Sequence, residues 1–159
     1  MLLKQCCDLL ERKNLTVAFI ESASSGYLSS QFSIYKNSGA DILLGGLVSY
    51  DPSIKISILQ VDPSLIEKYS AESVEVTKAM AVQGKKLFSA ADIIVSCTGL
   101  LKPGGSASIE KPEGTFFISI YYQNTLLNFK YFIEGSPLTR LNQLTENVAK
   151  EILKILNFV

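Results

Sequence analysis

Residues 20 to 26 read Ile-Glu-Ser-Ala-Ser-Ser-Gly and follow the apolar run Val17-Ala18-Phe19. Small hydroxyl residues where a buried strand turns into a helix can cap that helix, cradle an anion or supply a nucleophile. The chain contains no histidine. A Ser-His-Asp or Cys-His arrangement and a histidine-ligated metal are therefore excluded. A nucleophilic serine here needs another base, and a lysine of lowered pKa is the known substitute. In Asp51-Pro52-Ser53 an N-cap aspartate precedes proline at the first helical position, which sets Lys55 one turn inside a short helix. The positive end of the helix dipole and burial would both favour its neutral amine, and Asp51 would oppose them if close. Tyr50, ending the preceding strand, is placed to hold the lysine or relay a proton. Taken alone, Ser22 or Ser24 also suits a plain N-cap, and Lys55 a surface position on an amphipathic helix.

A third segment, Thr98 to Gly114, has the composition of a ligand loop. Thr98-Gly99 comes first, Pro103-Gly104-Gly105 stands in the middle, and Lys111-Pro112 precedes Gly114-Thr115. Glycines permit close backbone approach and unusual dihedrals, so such a loop can wrap a polar substrate or a phosphate. Its spacing matches neither a phosphate-binding loop of the Walker type nor a dinucleotide fingerprint. A long glycine-rich surface loop is the plainer reading.

The elements that must position these segments follow from periodicity. Leu2, Leu3, Cys6, Cys7, Leu9 and Leu10 predict an amphipathic helix ending near Lys13-Asn14, followed by a strand over 15–20. Leu28, Phe32 and Tyr35 make a helical stripe that "KNSGAD" interrupts, and an apolar stretch runs over 42–48. Helix starts stand at Asp51-Pro52, Asp62-Pro63 and Ser73, the last opening a helix with Val76, Met80, Gly84 and Leu87 on its inner face. A buried strand is predicted over 92–97, then two strands, "GTFFISIYY" and "LLNFKYFI", joined as a hairpin around Gln123-Asn124. Ser136-Pro137 starts a last helix whose face carries Leu138, Leu141, Leu144, Val148, Ile152 and Ile155. The order α-β-α-β-α-α-β-β-β-α predicts an α/β fold over residues 1–159: a single three-layer α/β/α domain with a mixed β-sheet. All three chemical segments then fall at strand ends, where open α/β sheets bind ligands.

Composition narrows the function classes. The 159 residues suffice for one well-packed core, and 15 basic against 15 acidic residues leave no overall field for nucleic acid or anionic lipid. No apolar run approaches the roughly 20 residues of a membrane span, and the first residues are amphipathic rather than signal-like, so a cytoplasmic location is expected. Cys6, Cys7 and Cys97 form neither a disulfide framework nor a CxxC pair, and packing is their expected role.

Together the three segments resemble the CinA C-terminal domain family, the stand-alone form of which is nicotinamide mononucleotide (NMN) amidohydrolase. Its motif AESCTGG is matched by Ile20 to Gly26, YSNxxK by Tyr50 to Lys55, and TGIAGPGG with KPVGTV by "TGLLKPGG" and "KPEGTF". Between them "VDPSLIEKYSAESVEVTKAMA" is similar to "GVxxxxLxxxGAVSxxVAxxMA". The resemblance runs from about residue 5 to the end, and the joint order of motifs is more specific than any one of them. It implies a Ser-Lys amidase: Ser22 attacks the carboxamide carbon of NMN, Lys55 takes and returns the proton, ammonia leaves, and water releases nicotinate mononucleotide. Tyr50 is the matched tyrosine. Backbone N–H groups near Ser24, Ser25 and Gly26 become oxyanion donors, and Thr98, Gly99, Gly104 and Gly105 help to hold the substrate. The resemblance implies no metal and no organic cofactor and a small pyridine nucleotide as partner, while the balanced charge and short apolar runs lead to the expectation of no nucleic acid and no membrane as partners. The apolar hairpin and last helix suit a homo-oligomer such as a dimer.

Three departures bear on activity. CTGG has become Ala23-Ser24-Ser25-Gly26, with Ser25 replacing a glycine, and IAG has become Leu100-Leu101-Lys102. Where the family often has GDRxxVRxQ, this chain reads "GSPLTRLNQ", with Pro137 and Leu141 in place of two arginines that suit a phosphate. Arg140 stands at an offset position, and Lys102, Lys111 or Arg140 is left to meet the phosphate. A non-catalytic nucleotide-binding module of the same fold, and an amidase for a substrate without phosphate, are the alternative readings.

Overall fold

A computed structural model describes residues 1–35 and 39–156. Its five strands are β1 (Val17–Glu21), β2 (Leu43–Val48), β3 (Ile93–Gly99), β4 (Thr115–Tyr122) and β5 (Thr125–Phe132). The α-helices described are α1 (Leu2–Arg12), α2 (Tyr27–Ile34), α3 (Pro52–Ser57), α4 (Pro63–Tyr69), α5 (Val74–Leu87) and α6 (Pro137–Ile155). Three helices thus separate β2 from β3, one at each predicted helix start, although the predicted element order counted two. Each Asp-Pro start nucleates its own short helix, Asp51 accepting from the Ser53 N–H and Asp62 from the Ser64 N–H, and Ser73 caps α5 through the Val76 N–H. Lys36, Asn37 and Ser38 of the predicted break lie outside the described residues.

The sheet order is β2-β1-β3-β4-β5, parallel across β2, β1 and β3 and antiparallel across β3, β4 and β5, which is the mixed sheet expected. The final hairpin turns through Gln123 and Asn124, both with positive φ (50° and 60°), the tight geometry that matches strand twist. One face is covered by α1, α2 and α6, through Leu3, Cys6, Cys7, Leu10, Leu28, Phe32, Leu144, Val148 and Ile152. Leu59, Val61, Val76, Met80 and Ala81 cover the other. All three cysteines are free and buried, as the packing role predicts.

Gly84 lets α5 lie directly on β1, since a Cβ there would stand 2.6 Å from Ile20 Cγ1. Leu87, expected on the same face, is exposed at the end of α5. Leu138 is exposed on the first turn of α6, where the inward position belongs instead to Arg140.

The connections place the site. From β1 the chain passes through α2, on the first face, to its neighbour β2. It then returns through α3, α4 and α5, with α5 on the opposite face, to β3 on the other side of β1. The carboxyl end of β1 is therefore where the chain switches faces, the position at which such sheets open a crevice.

Candidate active site

Sheet pairing carries on one step past the strand ends. The Ser22 N–H donates to Cys97 O at 3.0 Å and the Ser49 N–H to Glu21 O at 2.8 Å, so Ser22 and Ser49 are held side by side. Lys55 comes from the first turn of α3. A helical side chain leans back towards its helix N-terminus, which returns the amine to the end of β2. The lysine is wholly buried. Its Nζ lies 2.9 Å from Ser22 Oγ, 2.5 Å from Ser49 O and 3.2 Å from Tyr50 O.

This arrangement suits a neutral amine as a base. A neutral amine has two N–H donors and one lone pair. The two carbonyls accept the donors, which leaves the lone pair facing the Ser22 hydroxyl. Burial pulls the Lys55 pKa down from 10.5 to about 8, against the opposing charges of Glu72 first and Asp51 next. Asp51 thus acts in the direction expected of it. At neutral pH about a tenth of the amine is then free base, far more than for an exposed lysine.

The turn after β1 does not use its serines as caps. Glu21 caps α2 instead. One of its carboxylate oxygens accepts from the Leu28 N–H at 2.8 Å, the other from the Ser29 N–H at 3.0 Å and its hydroxyl at 2.7 Å. The N-cap residue Gly26, at φ 94°, has no side chain with which to do so. Ser22 is left free for the lysine. Ser24 is buried against the Cys97 thiol, whose pKa burial raises to about 12. Ser25 is exposed in the left-handed region at φ 50°, at the place where the motif AESCTGG has a glycine. Its N–H donates to Ser22 O at 3.1 Å and so is not available to an oxyanion. Among the described residues the Ala23 and Gly26 N–H groups have no acceptor. Ala23, directly after Ser22, faces the open cleft.

That cleft is lined by Ser22, Ala23, Tyr50, Glu72 and residues 99–105, and its cavity volume is about 170 Å³. Gly99, Gly104 and Gly105 therefore line the same cleft as Ser22. At Gly99 a Cβ would collide with the Phe116 ring, so the loop can leave β3 only through glycine. Tyr50 holds Lys55 through its carbonyl, while its ring is more than half exposed at the cleft wall.

Two expected contacts lie elsewhere. Thr98 is buried and bonds to Thr77: the single hydroxyl proton of Thr77 goes to Ser73 O at 2.6 Å, so Thr98 donates to Thr77 Oγ1 at 2.8 Å. Arg140 is buried and engaged through Nε on Ile133 O at 2.9 Å and through Nη1 on Leu101 O and Glu113 Oε1 at 2.9 and 2.8 Å. It ties the 100–114 loop to α6 and does not face the cleft. Lys111 is likewise occupied, its Nζ donating to Ser70 Oγ at 2.7 Å and Glu72 O at 2.5 Å. Lys102 stands exposed on the cleft wall. Sequence reasoning missed Glu21 as the cap and Glu72 as a cleft residue. A carboxylate at 72, where the matched pattern GAVS has valine, was the available signal.

The model of the CinA C-terminal domain matches residues 1–156. Two relatives, both described as CinA-like proteins, are from Chlorobaculum tepidum, 46% identical over 112 residues (70% of this chain, 26% of that protein), and Cytophaga hutchinsonii, 33% identical over 152 residues (96% and 34%). The chain thus spans about a quarter to a third of the length of these curated relatives. Among solved structures, a CinA superfamily protein from Klebsiella pneumoniae superposes with TM-score 0.89 at 19% identity, covering 99% of this chain and 97% of that one. One from Escherichia coli gives 0.87 at 23%, covering 97% and 88%.

Proposed function

Since this chain belongs to the CinA C-terminal domain family, and its cleft ends on a serine bonded to a buried lysine, we propose that it is a carboxamide hydrolase that deamidates NMN. The observation that carries the reading is the position of Lys55 Nζ, 2.9 Å from Ser22 Oγ with its other donors accepted by two carbonyls. In this mechanism Ser22 Oγ attacks the carboxamide carbon while its proton passes to Lys55. The developing oxyanion meets the Ala23 N–H, preorganised beside the nucleophile. The Lys55 ammonium then protonates the leaving nitrogen, and ammonia departs from an acyl-serine ester. Lys55, neutral again, takes a proton from water as it attacks the ester, then returns that proton to the departing Ser22 Oγ, which frees the acid product and restores the serine hydroxyl and the neutral amine.

The Tyr50 ring at the cleft wall is suited to stack on a pyridine ring. Lys102 is the cation left for a phosphate, because Arg140 and Lys111 are engaged in the fold. That engagement also favours a second reading, an amide substrate without phosphate. Ammonia release measured with NMN, nicotinamide riboside and nicotinamide separates the two, with Ser22→Ala and Lys55→Ala as controls. Turnover of NMN that survives Ser22→Ala would sink the mechanism, and binding without release would make the protein a nucleotide-binding module.

A further inference from the structure

Glu72 is a carboxylate in the wall of a cleft that Tyr50, Lys102 and the glycine loop also line. It follows α4 and precedes the cap of α5, and its side chain is half-buried. Its Oε2 accepts from the Ser106 hydroxyl at 2.7 Å. Oε1 lies 3.5 Å from where a Cβ on Gly105 would stand. Lys111 braces the same wall from behind through Ser70 Oγ and Glu72 O. The carboxylate is therefore held in place beside the glycine loop.

Its neighbours limit what it can do. It bonds to neither Ser22 nor Lys55, so it does not relay their proton, yet it is the leading opposing charge felt by the Lys55 amine and so stands near the reacting groups. A carboxylate offers about four acceptor positions, and Ser106 uses one. Bracing a loop through a serine hydroxyl needs no charge; the charge itself is balanced by the Lys55 and Lys111 amines, which both feel it, and this leaves the remaining acceptor positions for donors in the cleft. An acceptor of this kind, close to a reacting ring, suits adjacent hydroxyls. Carboxylates reading ribose hydroxyls in nucleotide-binding α/β folds use the same chemistry. A phosphate would be repelled from this wall and drawn towards Lys102.

We propose that Glu72 is a specificity residue whose carboxylate accepts hydrogen bonds from the hydroxyls of a sugar attached to the substrate's ring. This rests on the carboxamide-hydrolase reading above and concerns the part of the substrate that is not cleaved. Titration calorimetry on Ser22→Ala protein, which keeps ligands intact, tests it with nicotinamide riboside and its 2′,3′-dideoxy analogue. Adding Glu72→Gln, which keeps size and the Ser106 bond, is expected to weaken the riboside about tenfold, the worth of a hydrogen bond to a charged group. The dideoxy analogue is expected to bind both proteins equally. Equal weakening of both ligands, no weakening of the riboside, or no riboside binding at all would overturn the assignment. Ammonia release from NMN by protein with Ser22 intact is read separately. No release with the riboside preference intact removes the hydrolase reading alone, and release without the preference removes only the role of Glu72.

Discussion

Lys55→Met tests the buried base without reference to any substrate. The lysine is wholly buried and its pKa falls from 10.5 to about 8 on folding. At 1.36 kcal/mol per unit, holding the charged form inside costs about 3 kcal/mol. Between these values the unfolded chain binds more protons than the folded one, so stability rises with pH across the window. The cost is fully present below about 8 and gone above about 10.5. Methionine fills a similar volume and does not titrate. Relative to Lys55→Met, wild type is expected to gain about 2.5 kcal/mol between pH 7 and pH 10. Urea unfolding of both proteins at the two pH values measures this, and the other titrating groups cancel in the difference. The lost bonds to Ser49 O and Tyr50 O, about 1 kcal/mol each, shift both values equally. A difference that is the same at pH 7 and pH 10 would refute the reasoning, because the amine would then titrate as an exposed lysine does.

The same group sets the rate: kcat/KM for ammonia release is expected to fall about tenfold per unit below pH 8 and level off above it, and a flat profile from pH 6 to 9 removes Lys55 as the base. Ser25→Gly relieves an exposed left-handed residue and is expected to stabilise by up to about 1 kcal/mol, net of the freedom glycine adds to the unfolded chain. A thermal melt reads this, and a clear destabilisation would contradict the φ of 50°. Arg140→Met leaves the Ile133 and Leu101 carbonyls and the Glu113 carboxylate without their donor, and is expected to cost about 2–4 kcal/mol in urea unfolding. If Arg140 instead bound a phosphate, KM would rise with stability intact.

Periodicity and end signals carried most of the fold. The Asp-Pro starts of α3 and α4, the serine cap of α5 and the Gln123-Asn124 turn are local: a few adjacent residues determine them, and each stands in the structure as expected. Leu138 and Leu87 show where such reasoning ends. Helical spacing assigns a face, but how far the sheet beneath extends is a tertiary matter, and both side chains are exposed.

In the site, the legible residues were those whose chemistry is constrained by an absence elsewhere in the chain. Without histidine, a lysine on the first turn of a helix next to a strand-end serine gains weight, and Ser22 and Lys55 do meet at 2.9 Å. Charged residues judged only by their sign were less legible. Arg140 looked like a phosphate ligand because a guanidinium suits one, yet its Nε and Nη1 face the carbonyls of Ile133 and Leu101. Glu21 and Glu72 were passed over because a lone carboxylate has no spacing signal, although one frees Ser22 by capping α2 and the other faces the cleft. Carboxylates also explain the tuning of the amine. Burial alone would drive Lys55 further towards neutrality, while Glu72 and Asp51 pull back, leaving it near 8. A base poised there deprotonates serine and still carries enough positive character, once protonated, to hand a proton to the leaving amine. Glu72→Gln should therefore move the alkaline plateau of the rate profile to lower pH, whether the carboxylate reads a sugar or only braces the loop, and a profile left in place would mean that its charge does not tune Lys55.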